Sequence, residues 1–338
     1  MSQYPPTPPS EPALSAKQAT VYIPTRIHPK IEEYARTKFA RVVQPSDTPE
    51  EECLALADGI VSRVGDLREK QLSQAKRLRM IARNGTGCDN IDLNYCKQHE
   101  IIVVNNPGGN AATVAELALT LALSVVRRVK EMDHRITGGE RVPSIDALSG
   151  SLLRATVGLI GMGDTAYEFA KMLAPFQCRI IAYSPTSPKD RWTSPDDRYP
   201  HVVEHERAES LEEMLKQVDL LSLHCPLTPS TRHMLGVKEF KAMKPSAVVV
   251  NCARGGILDE AALAQALKRG ELAGAGLDVF ATEPAYGDNL GELGKMNNVI
   301  CLPHLAGSTE QVQYEGCKVA VDLLADFFDG KGYKNRVV

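Results

Sequence analysis

From residue 20 onward, short apolar runs alternate with longer stretches in which apolar and polar residues are mixed. "TVYIP" (20–24), "GIVSR" (59–63), "LRMIAR" (78–83) and "IIVVNN" (101–106) read as strands. Between them, "IEEYARTKF" and "REKQLSQA" space their apolar residues as helices do. This alternation predicts an α/β fold around a parallel sheet. "NAATVAELALTLALSVVRRVKEMDHRI" (110–136) is apolar at first and then basic, and it predicts one long helix suited to bridging two domains. After the loop-like "ITGGERVPSIDALSGSLL" a second α/β series begins at Val157. Its strand candidates are "TVGLIG", "RIIAYS", "DLLSLHCP", "AVVVNCAR", "GAGLDVF" and "NVICLPH". Several are nearly unbroken apolar runs, as expected of parallel strands buried on both faces. Polar residues collect at their carboxyl ends: His224, Asn251, Arg254, Asp278 and His304. Open α/β sheets bind ligands there.

Composition narrows the class further. At 338 residues, 43% hydrophobic and 24% charged, the chain is long enough for two domains and has ordinary globular proportions. A net charge of −3 argues against nucleic acid or an anionic membrane as partner. No apolar run has the length of a membrane span. The Pro- and Ser-rich residues 1–19 lack the features of a signal or transit peptide and are expected to form a disordered tail. Eight scattered cysteines, without CxxC pairs or metal-ligand spacing, fit a reduced cytoplasmic protein with no metal site.

The stretch "VGLIGMGDTAYEFA" (157–170) places Gly161-x-Gly163-x-x-Ala166 between a strand and a helix, the context of a dinucleotide fingerprint. Gly161 permits the tight turn, Gly163 lets backbone approach a pyrophosphate, and Ala166 is small enough for helix–strand packing. Ala166, Phe169, Ala170 and Leu173 share one helical face, which should pack on the sheet. The contacting set is expected to include Met162, Asp164 and Thr165. Asp164 is an anion where an anion should bind. At a helix start it can cap free amides, in competition with the pyrophosphate, so it is expected to weaken cofactor binding. The acid that usually meets the ribose 2′-OH is replaced by Ser184, with Lys189 and Arg191 following. That substitution favours NADP over NAD. The segment "PKDRWTSPDDRYPHVVEHERAE" is long for this position and is expected to cover the adenosine end.

Five further segments carry a family resemblance: "NGTGCDNIDL" (84–93), "VVNNPGGNAATVAELAL" (103–119), "NCARGGILDE" (251–260), "GLDVFATEP" (276–284) and "LPHLAGST" (302–309). In this order, over nearly the whole chain from residue 20, they resemble the D-isomer-specific 2-hydroxyacid dehydrogenase family. The resemblance implies two Rossmann-like domains, with a doubly wound nucleotide-binding domain (107–305) inserted into a discontinuous flavodoxin-like substrate domain (20–106 and 306–338). It also implies a homodimer formed through the arm after the long helix. His304 matches the family's acid/base histidine, and imidazole is the side chain whose unperturbed pKa lies near neutral pH. Glu283 matches its paired glutamate, which supports the imidazolium, and Arg254 matches the arginine that grips the substrate carboxylate. Asp278 matches an aspartate near the nicotinamide, and Cys225 and Pro226 fall at the cofactor. Gly85, Thr86 and Gly87 can offer amides to the carboxylate, and Arg63 is read either as a contact to the distal part of the substrate or as an ordinary surface arginine.

The implied activity is NAD(P)H-dependent reduction of a small 2-keto acid, glyoxylate or hydroxypyruvate first, to the D-2-hydroxy acid. Glu283 separates the chain from formate dehydrogenases of the superfamily, which carry Gln there. The chain ends soon after its C-terminal helix, so the regulatory domain of many phosphoglycerate dehydrogenases is not expected. The alternative is a cofactor-sensing binding protein like the C-terminal-binding protein corepressors, which share the fold and retain the triad. Cys88, Cys225, Cys252 and Cys301 fall beside the expected cleft. They are read as small buried hydrophobes, with oxidative sensitivity as the sharper alternative.

Overall fold

Nearly every apolar run of the sequence becomes a parallel strand in the computed structural model, which describes residues 14–338. The chain separates into two compact units, one running through Asn110 and resuming at Ser308–Val338, the other Ala111–Gly307. The second is thus inserted into the first along the sequence.

The first unit comprises β1 (Thr20–Tyr22), α1 (Pro29–Lys38), β2 (Arg41–Val43), α2 (Glu50–Leu56), β3 (Gly59–Ser62), α3 (Glu69–Leu72), β4 (Met80–Arg83), α4 (Leu93–Gln98) and β5 (Ile102–Val104), and closes with the C-terminal helix. Its sheet runs β2-β1-β3-β4-β5, all parallel, the flavodoxin-like order. Of the tail expected over 1–19, residues 1–13 lie outside the described residues. Residues 14–19 depart from the expectation. A short turn of helix spans Ala16–Gln18, Ala16 and Ala19 are buried, and the Ala16 amide donates to Asp329 at 3.0 Å. The buried alanines, the Asp329 acceptor and a capping box between Ser15 and Gln18 fix this stretch.

The second unit comprises α5 (Ala111–Val126), α6 (Val129–Thr137), β6 (Thr156–Ile160), α7 (Asp164–Leu173), β7 (Arg179–Tyr183), β8 (Glu206–Arg207), α8 (Leu211–Leu215), β9 (Leu220–Leu223), α9 (Val237–Ala242), β10 (Val248–Asn251), α10 (Glu260–Lys268), β11 (Gly274–Leu277) and β12 (Val299–Cys301). The closing helix of the first unit is α11 (Glu310–Phe328). The second sheet runs β12-β11-β10-β9-β6-β7-β8, again all parallel. From β6 the chain winds outward to β8, then returns to the other side of β6 at β9. The strand order reverses between β6 and β9, and such a switch point opens a crevice at the carboxyl ends of the two strands. The residues at those ends are Gly161 and Cys225–Pro226, both expected at the cofactor.

The predicted long helix is two helices. Arg128 adopts a left-handed conformation (φ 54°) between α5 and α6. Its guanidinium is held by Glu131 at 2.6 and 2.8 Å and by the Leu148 carbonyl at 2.8 Å. The helical spacing of apolar residues continues across this break, so periodicity alone could not reveal it. No helix among the described residues is long and apolar enough to cross a membrane.

Candidate active site

The fingerprint turn is built as its glycines require. A side chain at Gly161 (φ +102°) would meet the His224 carbonyl oxygen at 2.7 Å, so the fold itself demands glycine there. Gly163 has an ordinary negative φ, and a Cβ there would meet nothing within 4 Å. The protein's own packing therefore does not explain Gly163, whereas close approach of a phosphate does. Among the described residues the Met162 and Gly163 amides make no hydrogen bond, and the first amides of α7 lack partners by helix geometry. Ala166, Phe169, Ala170 and Leu173 are all buried, as their shared face predicted. This donor set fits a dinucleotide pyrophosphate.

Asp164 departs from expectation. Its carboxylate does not cap the helix. It is gripped by Arg198, with Nε and Nη2 at 2.7 and 2.8 Å from its two oxygens. The amides it was expected to cover remain available. The long segment after β7 is folded against this turn through buried Trp192 and Tyr199. Arg191, expected only to supply charge nearby, donates to the Met162 carbonyl at 3.0 Å. Ser184 Oγ lies 2.8 Å from Ser187 Oγ, and the Ser184 carbonyl accepts from Arg207 at 2.7 Å. Lys189 is exposed. Sequence reasoning missed Arg198, deep in an irregular segment without periodicity, and Arg207, on the two-residue polar edge strand β8.

His224 also differs from its place in the expected polar cluster. Its backbone walls the Gly161 turn, its ring lies 5.2 Å from Phe169, and Nε2 is buried without a partner. Burial pushes its pKa down to about 3, so it is neutral. Cys225 follows it, half-buried, with its thiol pushed up to about 11 by burial. Burial likewise raises Cys252 and Cys301 above the ordinary thiol value. These groups lack the thiolate character that peroxide attacks.

The catalytic candidates converge at the ends of β10, β11 and β12. His304 Nδ1 lies 2.8 Å from Glu283 Oε2, and Glu283 Oε1 accepts from the Phe280 amide at 3.1 Å. Burial works to raise the Glu283 pKa, but the hydrogen bond and charge of His304, the Phe280 amide and the charge of Arg254 together hold it below the usual value. Arg254 sits in the turn after β10, shaped by Asn251. Asn251 Nδ2 donates to the Arg254 carbonyl at 2.9 Å, and its Oδ1 accepts from the Ala253 amide at 3.0 Å. Gly255 lets this turn close on the Phe280 backbone, where any Cβ would lie 1.9 Å from a carbonyl.

Asp278 does more here than the sequence suggested. Fully buried at the end of β11, it accepts from the Leu305 amide at 2.7 Å and the Ala306 amide at 2.9 Å. Its own carbonyl accepts from the His304 amide at 2.8 Å. Desolvation raises its pKa against the lowering effect of those two amides. His304 itself is left-handed, φ 57°, a conformation costing a non-glycine residue on the order of 1 kcal/mol or more. Three bonds from one aspartate over-determine the loop and hold that conformation in place.

The remaining candidates belong to the first unit. Arg63 follows β3, half-buried. The Gly85, Thr86 and Gly87 carbonyls are tied back, by the Asn106 amide (3.0 Å), Asn105 Nδ2 (2.7 Å) and Arg83 Nε (3.0 Å). Among the described residues the Thr86 and Gly87 amides make no bond. No group of three or more His, Cys, Asp or Glu among the described residues could hold a metal.

Comparison with known proteins agrees with this architecture. Residues 119–306 match the family described as D-isomer specific 2-hydroxyacid dehydrogenase, NAD binding domain. The chain is 37% identical over 289 residues to glyoxylate reductase of Thermococcus litoralis, covering 83% of each chain. It is 35% identical over 286 residues to D-3-phosphoglycerate dehydrogenase of Methanocaldococcus jannaschii, covering 83% of this chain but only 52% of that longer protein. Among solved structures it is similar to an NADPH-dependent glyoxylate/hydroxypyruvate reductase of Sinorhizobium meliloti in complex with NADP and malonate, with a TM-score of 0.80, 26% identity and coverage of 95% and 97%. The fingerprint, the His–Glu pair and these matches over most of the chain lead to one conclusion: the protein belongs to the D-isomer-specific 2-hydroxyacid dehydrogenases, oxidoreductases that act on the CH–OH group and bind a nicotinamide nucleotide.

Proposed function

We propose that this protein reduces a small 2-keto acid, glyoxylate or hydroxypyruvate, to the D-2-hydroxy acid. The observation that carries the reading is the 2.8 Å contact between His304 and Glu283, with the charge of Arg254 acting on the same carboxylate. The Gly161–Gly163 turn and the first amides of α7 would hold the reduced nicotinamide nucleotide, which would supply the hydride for the keto carbon. His304, with Nδ1 engaged by Glu283, gives the proton on Nε2 to the carbonyl oxygen. Glu283 supports the imidazolium and fixes its tautomer. Arg254 grips the substrate carboxylate and polarises the adjacent carbonyl. In the first unit, the Thr86 and Gly87 amides suit the carboxylate, and Arg63 suits a polar distal group such as the hydroxyl of hydroxypyruvate.

NADPH is the proposed donor. No carboxylate stands at Ser184 to repel a 2′-phosphate, and Arg207 binds the Ser184 carbonyl. Oxidation of NADPH and NADH with a panel of 2-keto acids tests both statements. Turnover of glyoxylate or hydroxypyruvate is expected, with a lower KM for NADPH than for NADH. Cofactor binding without turnover of any acid would favour the corepressor-like alternative.

A homodimer is proposed through α6 and the arm after it. α6 buries none of its residues, and Val129, Ile136, Ile145, Leu148 and Leu153 are all exposed, an apolar concentration that marks an interaction surface. Sedimentation velocity should give twice the chain mass, and the double variant Ile145→Asp/Leu148→Asp should sediment as a monomer. A monomeric wild type would refute this.

A further inference from the structure

The segment between β7 and β8 is fastened to the fingerprint turn at several points. Trp192 and Tyr199 are buried, their rings 5.8 and 4.9 Å from that of Tyr167 on α7. The Tyr167 hydroxyl donates to the His201 carbonyl at 3.0 Å and accepts from the His201 amide at 2.7 Å. Arg191 holds the Met162 carbonyl in the middle of the Gly-x-Gly turn. Asp196 Oδ1 accepts from the amides of Arg198 and Tyr199 at 2.7 and 2.6 Å, setting the turn that presents Arg198. Arg191 and Arg198 each place a guanidinium 5.5 Å from the centre of the Tyr199 ring, within cation–π range.

Against this background the Asp164–Arg198 pair is not the main contact that seats the segment. Arg198 is 59% and Asp164 21% exposed, so solvent tempers what the pair adds to stability, while the aromatic cluster already seats the segment. What the pair does change is the charge beside the pyrophosphate amides. A bare carboxylate at the first residue of α7 would repel an anion that those amides should attract, and a bidentate guanidinium neutralises it.

We propose that residues 188–205 clamp the dinucleotide turn, and that Arg198 masks the Asp164 carboxylate from the cofactor's phosphates, making Arg198 a positioning residue for cofactor affinity. The proposal rests on the fingerprint turn being the cofactor site. It reverses the expectation from sequence, in which Asp164 itself opposes the pyrophosphate. Asp164 carries that penalty only when Arg198 is missing.

The test is a double-mutant cycle on the full chain. NADPH and NADH are titrated against wild type, Arg198→Gln, Arg198→Lys, Asp164→Asn and Arg198→Gln/Asp164→Asn. Trp192, the single tryptophan, reports through its emission whether the segment stays seated. Arg198→Gln should raise Kd for both cofactors about tenfold, with buried-type emission retained. The KM for cofactor should follow Kd, while kcat at saturating cofactor should change less than about twofold. Arg198→Lys should recover most of the loss. Asp164→Asn should alter Kd less than about twofold in the wild-type background, but tighten binding about fivefold or more in the Arg198→Gln background. An unchanged Kd in Arg198→Gln would overturn the proposal. So would equal weakness of Arg198→Gln and the double variant, whatever the Trp192 emission. Wild-type protein binding neither cofactor would instead overturn the fingerprint reading itself.

Discussion

His304→Gln should lower kcat for 2-keto acid reduction by about 10³-fold, with the KM for the keto acid changed by less than about threefold. Glutamine keeps a hydrogen-bonding side chain of similar reach but cannot deliver a proton, so the loss falls on the chemical step. In the wild type, reduction should slow as pH rises, because the step consumes a proton, and oxidation of the hydroxy acid, which releases one, should quicken over the same range. Both dependences should flatten in the variant. Glu283→Gln separates the partner's part. The Glu283 carboxyl is held below its usual pKa, so it is ionised throughout the neutral range. Removing that charge withdraws support from the imidazolium, so kcat for reduction should fall in the variant. The sign for stability follows from the same depression. The contact stabilises the fold above the ordinary carboxylate range and is lost as pH falls through the lowered pKa of Glu283. Steady-state pH–rate profiles of the three proteins check these points. A His304→Gln enzyme within tenfold of wild type would rule out His304 as the proton donor.

These residues could be picked out from sequence because they lie in short ordered segments at the ends of buried strands. β9 and β10 are buried at every position, and such runs advertise themselves through composition alone. The edge strands β2 and β8 do not. β2 is three residues long with an exposed arginine, and β8 is the polar pair Glu206–Arg207, joined to β7 partly by the Arg179–Glu206 ion pair. The break at Arg128 is hidden because apolar spacing resumes in step after it. The least accessible features are pairings between distant residues. Arg198 meets Asp164 across 34 residues, and Asp278 meets Leu305 and Ala306 across 27 and 28. A sequence pattern marks Asp278 as a site residue, but not that it holds His304 in a left-handed conformation. Asp164 illustrates the same limit. Local rules for helix starts predict a cap, and a guanidinium from an irregular segment takes the carboxylate first.

Arg254 should prove almost as important as His304, and for a reason that distinguishes it from a mere positive charge. Arg254→Ala should lower kcat/KM for glyoxylate by about 10²–10³-fold, the scale for losing one preorganised electrostatic group. Arg254→Lys should recover only a small part, because an ammonium lacks the planar fork that meets a carboxylate on two bonds while polarising the neighbouring carbonyl. The surrounding backbone is built to prevent that fork from wandering. Asn251 ties both ends of the turn, Arg254 Nη1 donates to the Ala253 carbonyl at 2.7 Å, and Gly255 brings the turn onto Phe280. The Phe280 amide is in turn bonded to Glu283, the partner of His304. Arg254 and His304, the proposed anion grip and proton donor, are therefore referenced to one stretch of backbone, so a shift in one is felt by the other. Asn251→Ala should consequently mimic part of the Arg254→Ala loss while leaving the cofactor Kd within about twofold, since the fingerprint lies on β6 and α7. Stopped-flow single turnovers with glyoxylate would separate the two effects. If Arg254→Lys retained near wild-type kcat/KM, the site would need only a diffuse cation, and the bidentate role assigned to Arg254 would be wrong.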